Sequence, residues 1–567
     1  MKYSQSLIRT AKETPADETA KNAKLLIRGC YIYKTMAGVY NFLPLGLKVL
    51  NNISNIVREE MNAIGCNELL MSSMVSKEAW QTTGRWDTVD VLYKMDRADG
   101  KEVALSPTHE EIVTPLVQNY LASHKDFPLC VYQIQNKFRN EARAKSGLLR
   151  GREFLMKDAY SFHLTEECFE KFYAQMTEAY HKVYARLGIG DITKYTYASG
   201  GDFSEFSHEF QTLSEIGEDD LFYTPSEKKF RNKEIVASKA RPFDNADEEV
   251  QPMEHVLGKG LIGVEALAKF FDIAVEKTTK TIIFETESGK VIAAAIRGDY
   301  NVDENKLKKI VGENFSLASA ETVKRVTGAE VGYAGVLELP EDVEVLFDES
   351  CDNRTNWETG NNKTDYHTIN VNWGRDVEKP EKFHDFKVPQ VGDMNPETGE
   401  VYEVTKAVEV GNIFPLADKF TKPFKFSVQD ENGKKVNPIM GCYGIGVSRV
   451  MGVLAELFAD DKGLVWPENV APFQVYLAAV GKSDEMIAQA EKIYAELKAK
   501  GVEVLYDDRQ GKKFGFGTKL ADYELLGIPK CIIVSDKLLK DGNAEIRTRK
   551  TGKTEIVKIE NCVETFC

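Results

Sequence analysis

The chain has 567 residues, with 73 Lys and Arg against 88 Asp and Glu, a formal net charge of −15. This acidic balance excludes a protein that gathers nucleic acid by bulk charge, while a local basic surface stays compatible with an RNA partner. Hydrophobic residues make up 43% and charged residues 28%, an ordinary soluble composition for about three to five domains.

The nine cysteines form no CxxC and the eight histidines no HxxxH. The pattern predicts reduced thiols in the cytoplasm, and neither a disulfide framework nor a thiolate zinc site. The opening MKYSQSLIRTAKETPADE has no apolar core of signal-peptide length, and Glu13, Asp17 and Glu18 disfavour a transit peptide. No apolar run is long enough to span a membrane.

Apolar positions at Leu47, Leu50, Ile53, Ile56, Val57 and Met61 follow Pro44 and predict a long amphipathic helix ending before Gly65. The run from Gly65 to Met71 reads as a strand. In Pro107-Thr108-His109-Glu110-Glu111, Thr108 and Glu111 have the spacing of a helix capping box. Next comes FRNEARAKSGLLRGREFLMKDAYSF from Phe138, two strands joined by a loop holding Arg143, Lys145, Arg150 and Arg152. Guanidinium forks suit phosphate oxygens. Such a loop is either solvated surface or a cover that closes over a triphosphate, with Glu141 on a purine amine and Phe154 under the ring.

Thr165 to Leu187 reads as a helix. From Phe222 to Pro252 the periodicity weakens, as in a connector. Beyond it, strands such as Thr281–Phe284 and Val291–Ala294 alternate with helical patterns in a compact α/β unit. Far downstream lies Gly441-Cys442-Tyr443-Gly444-Ile445-Gly446-Val447-Ser448-Arg449. Its glycines permit close backbone approach, and Arg449 opens an apolar helical run, a suitable end-point for phosphate. After Trp466-Pro467 the segments from Phe473 to Val534 alternate as βαβαβ.

Arg139-Asn140-Glu141 with Gly151-Arg152-Glu153-Phe154 resembles motif 2 of class II aminoacyl-tRNA synthetases, and the stretch ending at Arg449 resembles motif 3. Met156 to Phe162, Thr108-His109-Glu110 and Ser207-His208-Glu209-Phe210 are similar to the prolyl enzymes of bacterial type. The resemblance implies an antiparallel class II sheet with flanking helices in an α/β multidomain chain. Residues 1–223 would be the first catalytic part, 224–385 an inserted α/β editing domain, 386–470 the second catalytic part and 471–567 an α/β anticodon-binding domain.

The implied activity joins L-proline to proline tRNA through an adenylate, using ATP and Mg²⁺. Arg139 and Arg449 would be catalytic. Arg139, Glu141, Arg150, Phe154, Glu409 and Arg449 would bind ATP, with Glu409 a Mg²⁺ contact. Thr108, Glu110, Arg139 and His208 would hold proline. The inserted domain resembles one that removes alanine wrongly attached to proline tRNA, which implies roles for Lys280 (with Lys277 as competitor), Gly332, Asp348 and His367. The helix after Pro44 would build a homodimer interface. Ser72, Val336 and Asn412 depart from the family pattern. Met394 to Gly399 replaces the cysteines of some relatives, so no zinc is expected. The competing readings are a threonine, serine or glycine enzyme of the same class, and a synthetase-like RNA-binding protein.

Overall fold

Pro44 occupies the first turn of a helix whose apolar residues recur every three or four positions, and the Pro44–Ala63 helix buries that stripe. Leu45, Val49, Leu50, Ile53, Ile56, Val57 and Met61 are each at most 5% exposed. Each such side chain contributes roughly 1.5–3 kcal/mol by leaving water. The computed structural model describes residues 1–567 apart from Asp202, Glu205, Asp244, Ala246 and Cys567. The polypeptide divides into two units: Met1–Tyr195 with Gly200–Gly217 and Ala407–Cys567, and Thr196–Ser199 with Glu218–Lys406.

In the first unit a largely antiparallel sheet carries the motif residues. Its strands run Asn67–Glu68, Leu129–Phe138, Glu153–His163, Ile439–Ile445, Glu403–Ala417 and Phe206–Leu213. Of the pairs these strands make, the first is parallel and the others are antiparallel. The strand expected over Gly65–Met71 narrows to Asn67–Glu68, because Met71 N donates to the Gln133 side chain rather than to a strand backbone. The strand expected after the Arg-rich loop runs Glu153–His163.

Strand alternation gives the sheet two faces. The Glu166–Arg186 helix covers one, with Thr165 Oγ1 capping it at Cys168 N. Lys157, Tyr443 and Phe210 point to that side. Lys157 Nζ donates to Tyr180 OH and Tyr443 O, at 2.6 and 3.0 Å, and Phe210 packs on Tyr180 and Tyr184. The opposite parity faces a cleft and includes Gln133, Lys137, Phe154, Asp158, Cys442 and Asn412.

Towards the C-terminus, the strands Val475–Val480, Val504–Asp507 and Lys530–Ser535 are parallel and joined by the Asp484–Ala499 and Phe516–Leu526 helices. Asn543–Thr548 and Thr554–Lys558 add an antiparallel edge.

The second unit has a sheet ordered Phe315–Leu317, Thr279–Thr286, Val291–Arg297, Val343–Phe347. A smaller sheet is ordered Glu254–Leu257, Tyr366–Val371, Trp357–Gly360. The central Val291–Arg297 strand is buried throughout, as its run of Val, Ile and Ala dictates.

Candidate active site

The cleft face of the first unit is built around buried charge. Lys137 and Asp158 lie across neighbouring strands and form an ion pair at 2.6 Å, both almost fully buried. Gln133 Nε2 and Tyr160 OH each donate to Asp158 Oδ2 at 2.9 Å. Tyr160 OH in turn accepts from His109 N. Burial pushes the Lys137 ammonium down from its usual range, while Asp158 and Glu110 oppose that shift. His109 Nε2 donates to Ser72 O, and burial together with Lys137 pushes its imidazole down to about 4, so it is neutral near pH 7.

Thr108 and Glu110 meet directly: Thr108 Oγ1 donates to Glu110 Oε2 at 2.5 Å. The capping-box spacing of Thr108 and Glu111 is not used. His109 is the N-cap of the Glu110–Gln118 helix and no side chain caps it. Glu111 instead accepts from Arg85 Nη1 at 2.8 Å and Thr83 Oγ1 at 2.9 Å. Glu110 is fully buried and its Oε1 has no hydrogen-bond partner, an acceptor left for a cation. The Cys442 thiol faces this carboxylate, and burial, then Glu110, keeps it protonated.

Arg139 lies half-buried with its guanidinium 5.2 Å from the centre of the Phe154 ring. Burial lowers its pKa first and Arg449 second, while Glu409, Glu141 and Glu110 pull it back up. Those four groups and Arg139 therefore share one electrostatic neighbourhood. Arg449, on the Val447–Leu457 helix, donates from Nε to Leu149 O and from Nη1 to Glu409 O, both at 2.8 Å. A further contact of 3.2 Å joins it to Glu409 Oε2. Glu141 accepts from Arg150 Nη2 at 2.9 Å, and Arg150 is 44% exposed. Gly444 leaves the sheet surface bare between Asp158 and Asn412: an added Cβ would meet only Met156 within 3.7 Å.

His208 lies elsewhere. Its neighbour Glu209 pairs with cleft-facing Asn412, so alternation turns His208 to the helix-covered side. There Nδ1 meets Tyr173 OH at 2.9 Å and the ring stacks on Tyr195 at 4.8 Å. It lines a separate cavity of about 870 Å³ with Tyr173, Tyr195, Phe203 and Phe206, not the Thr108–Glu110 pair. The cleft-facing neighbours Glu209 and Gln211, which hydrogen-bond each other, were missed by motif reading. So were Arg85, Gln133 and Lys137. The alternation of Val131, Gln133, Gln135 and Lys137 in a strand was the available signal.

In the second unit a cavity of about 420 Å³ is lined by Lys280, Thr281, Gly332, Glu358 and His367, and by apolar Ile262, Leu267 and Val323. His367 Nδ1 lies 3.0 Å from Glu358 Oε1, and Nε2 donates to Leu261 O. Burial raises the Glu358 carboxyl, opposed by His367. Gly332 has φ +104° and no room for a Cβ beside Ile262.

Lys280 lies at the cavity's edge, its ammonium donating to Tyr300 O at 2.7 Å and Asn301 Oδ1 at 3.0 Å. Burial lowers its pKa. Lys277 pairs with Glu248. Asp348 does not reach the cavity. It is fully buried and accepts from Ser350 N and Phe386 N, a backbone-fastening role that corrects its expected place in the pocket. Val336 is 8% exposed and packs against Ala295, Phe347 and Trp357.

Among the described residues no group of three or more His, Cys, Asp and Glu is arranged to hold a metal ion. No described helix is long and apolar enough to cross a membrane.

Comparison with known families matches residues 93–458 to the tRNA synthetase class II core domain (G, H, P, S and T) and residues 474–566 to an anticodon binding domain. Sheet, motif strands and match together define a class II aminoacyl-tRNA synthetase core with an anticodon-binding domain. The proline--tRNA ligase of Brachyspira hyodysenteriae is 41% identical, over 100% of this chain and 97% of its own. That of Bacillus mycoides is 39% identical, over 99% and 98%. The fold is shared with the prolyl-tRNA synthetase of Cryptosporidium parvum solved with L-proline and AMP, at TM-score 0.56 and 13% identity, covering 96% of this chain and 73% of that one. The chain belongs to the bacterial-type prolyl-tRNA synthetase family.

Proposed function

We propose that the first unit condenses L-proline with ATP to prolyl-adenylate and pyrophosphate, then transfers the prolyl group to the terminal adenosine of proline tRNA. The observation that carries this reading is the joining of two sites in one cleft. Glu110, with an unpartnered buried oxygen, receives the substrate's ammonium, and Arg139 and Arg449 receive its activated carboxylate and the α-phosphate. Arg139 lies within the electrostatic reach of both Glu110 and Arg449, so it bridges the two. Adenine stacks on Phe154. Arg150, which contacts Glu141, binds the distal phosphates, and Glu141 binds the base.

Adenylation needs no protein nucleophile. The amino acid's carboxylate attacks the α-phosphorus, the bond to pyrophosphate breaks, and the two guanidiniums stabilise the charge that develops. Mg²⁺ would be held mainly by the nucleotide's phosphates, with Glu409, beside Arg449, as the single carboxylate that would contact it. Bound there, the ion would neutralise phosphate charge. The chain's free thiols suit the cytoplasm, and exposed Leu47, Leu70 and Met74 near the Pro44–Ala63 helix support a homodimer.

The second unit's cavity supports hydrolysis of alanyl-tRNA of the proline type. A methylene's difference is worth only roughly 1–3 kcal/mol, so a site built for proline admits alanine, and a second, smaller site corrects the error. The test is charging of proline tRNA with labelled proline, alongside release of alanine from pre-made alanyl-tRNA. Failure to charge overturns the first reading. Alanyl-tRNA as long-lived as in the no-enzyme control overturns the second.

A further inference from the structure

Arg85 is a charged side chain the adenylation chemistry does not use, yet it is only 6% exposed. Its guanidinium lies against three aromatic rings, Phe203 at 4.8 Å, Phe420 at 5.3 Å and Trp80 at 5.4 Å. Its Nη1 reaches Glu111 Oε1 at 2.8 Å and stands 3.9 Å from Glu110 Oε2. Two consecutive carboxylates, both at most 1% exposed, are thus served by one arginine. One oxygen on each, Glu110 Oε1 and Glu111 Oε2, has no partner.

We propose that Arg85 is a positioning residue for amino-acid activation: by binding Glu111 and standing 3.9 Å from Glu110 Oε2 it holds Glu110 aimed at the substrate's ammonium. Adjacent buried carboxylates cannot both stay charged without a cation beside them, because each disfavours ionisation of the other. Burial already raises Glu111 to about 7, with Arg85 opposing and Glu110 adding to the rise. The remaining groups facing the pair are Lys137 and Arg139 from the Leu129–Phe138 strand and the segment after it, Tyr160 from the next strand, and the Cys442 thiol from the Ile439–Ile445 strand. Lys137 is already committed to Asp158 and Arg139 faces the phosphates. Without Arg85 the Glu111 carboxyl would keep its proton near neutral pH and turn it to Glu110, occupying the acceptor meant for the substrate's ammonium. The aromatic walls fix the guanidinium where the carboxylates need it.

The inference rests on Glu110 as the ammonium site, and the test separates the two. Proline-dependent ATP–pyrophosphate exchange is measured against pH for the full chain, Arg85→Gln, Arg85→Lys, Glu110→Ala and the double variant Arg85→Gln with Glu111→Gln. Arg85→Gln should raise the KM for proline about ten-fold near pH 7, one pKa unit's worth, with the KM for ATP unchanged. The defect should shrink as pH rises. Arg85→Lys should lie between the two. The double variant should recover most of the proline affinity, because the competing Glu111 proton is then gone. An unchanged KM for proline in Arg85→Gln, or a double variant no better than the single, overturns the role of Arg85. An unchanged KM for proline in Glu110→Ala overturns the underlying site instead. A folding defect would lower activity for both substrates and leave the pH profile in place, a result that also contradicts the proposal.

Discussion

The two units make opposite use of charge. The first sets Arg85, Lys137, Arg139 and Arg449 among Glu110, Glu111, Asp158 and Glu409 on one sheet face, several of them buried. The second lines its cavity chiefly with aliphatic side chains and one Glu358–His367 pair. On the proposed reading the contrast follows from the tasks. Making a mixed anhydride at phosphorus moves charge, and fixed charges pre-placed around it lower the barrier. Sorting a small acyl group from a larger one requires shape, and a hydrolytic site can position ester and water with little more.

The largest effect should come from the phosphate end of the first unit. Arg449→Ala should lower proline-dependent exchange by roughly 10²–10³-fold, the scale of losing one transition-state donor, and leave alanyl-tRNA hydrolysis untouched. Near-normal exchange would remove Arg449 from the chemistry; a parallel loss of hydrolysis would mean that the units are not separable.

Acid should divide the units next. Burial holds His109 and His163 at about 4 in the folded chain, against an ordinary value of 6.5. The unfolded chain therefore binds more protons in that window. Stability these residues contribute is present above pH 6.5 and lost as pH falls towards 4, a few kcal/mol for each. Glu111, raised to about 7, acts in the opposite sense as pH rises. In the second unit Glu358, Asp348 and Glu349 are all raised by burial, so their contribution is fully present in acid and lost as pH rises. Hydrogen exchange read by mass spectrometry between pH 6.5 and 4 should show the first unit losing protection before the second. The reverse order would break the comparison.

Smaller effects belong to the cavity. His367→Ala enlarges it beside Tyr333 and Phe271, and should let prolyl-tRNA be hydrolysed about ten-fold faster while exchange stays intact. No gain in prolyl-tRNA hydrolysis would remove His367 from size selection. Smallest is Thr281→Val. Its Oγ1 is buried without a hydrogen-bond partner, so the change should stabilise the fold by about 1 kcal/mol in urea unfolding. A loss of that size would show that the hydroxyl is satisfied in solution.

Residues in local motifs are readable as candidates, because Gly-rich and Arg-rich runs mark loop and helix starts: Arg139 lies over the Phe154 ring and Arg449 in the first turn of the Val447–Leu457 helix. The long helices were legible from spacing alone, as at Pro44–Ala63. Groups whose partners lie far away in the chain were not. Nothing local to Arg85 in the sequence says that it binds Glu111, 26 residues on. Local readings also erred where two parities compete. His208 sits in a familiar run, yet strand alternation hands the cleft to Glu209 and Gln211. Asp348 shows the same limit: a buried carboxylate can fasten backbone as readily as it can serve a pocket.

The central claim is that the charged cleft of the first unit activates proline. ATP–pyrophosphate exchange with each of the twenty amino acids in turn tests it most directly. The account predicts that proline drives exchange most strongly, alanine weakly, and threonine, serine and glycine at or near background. Exchange driven better by threonine, serine or glycine than by proline, or by none of the twenty, would contradict it.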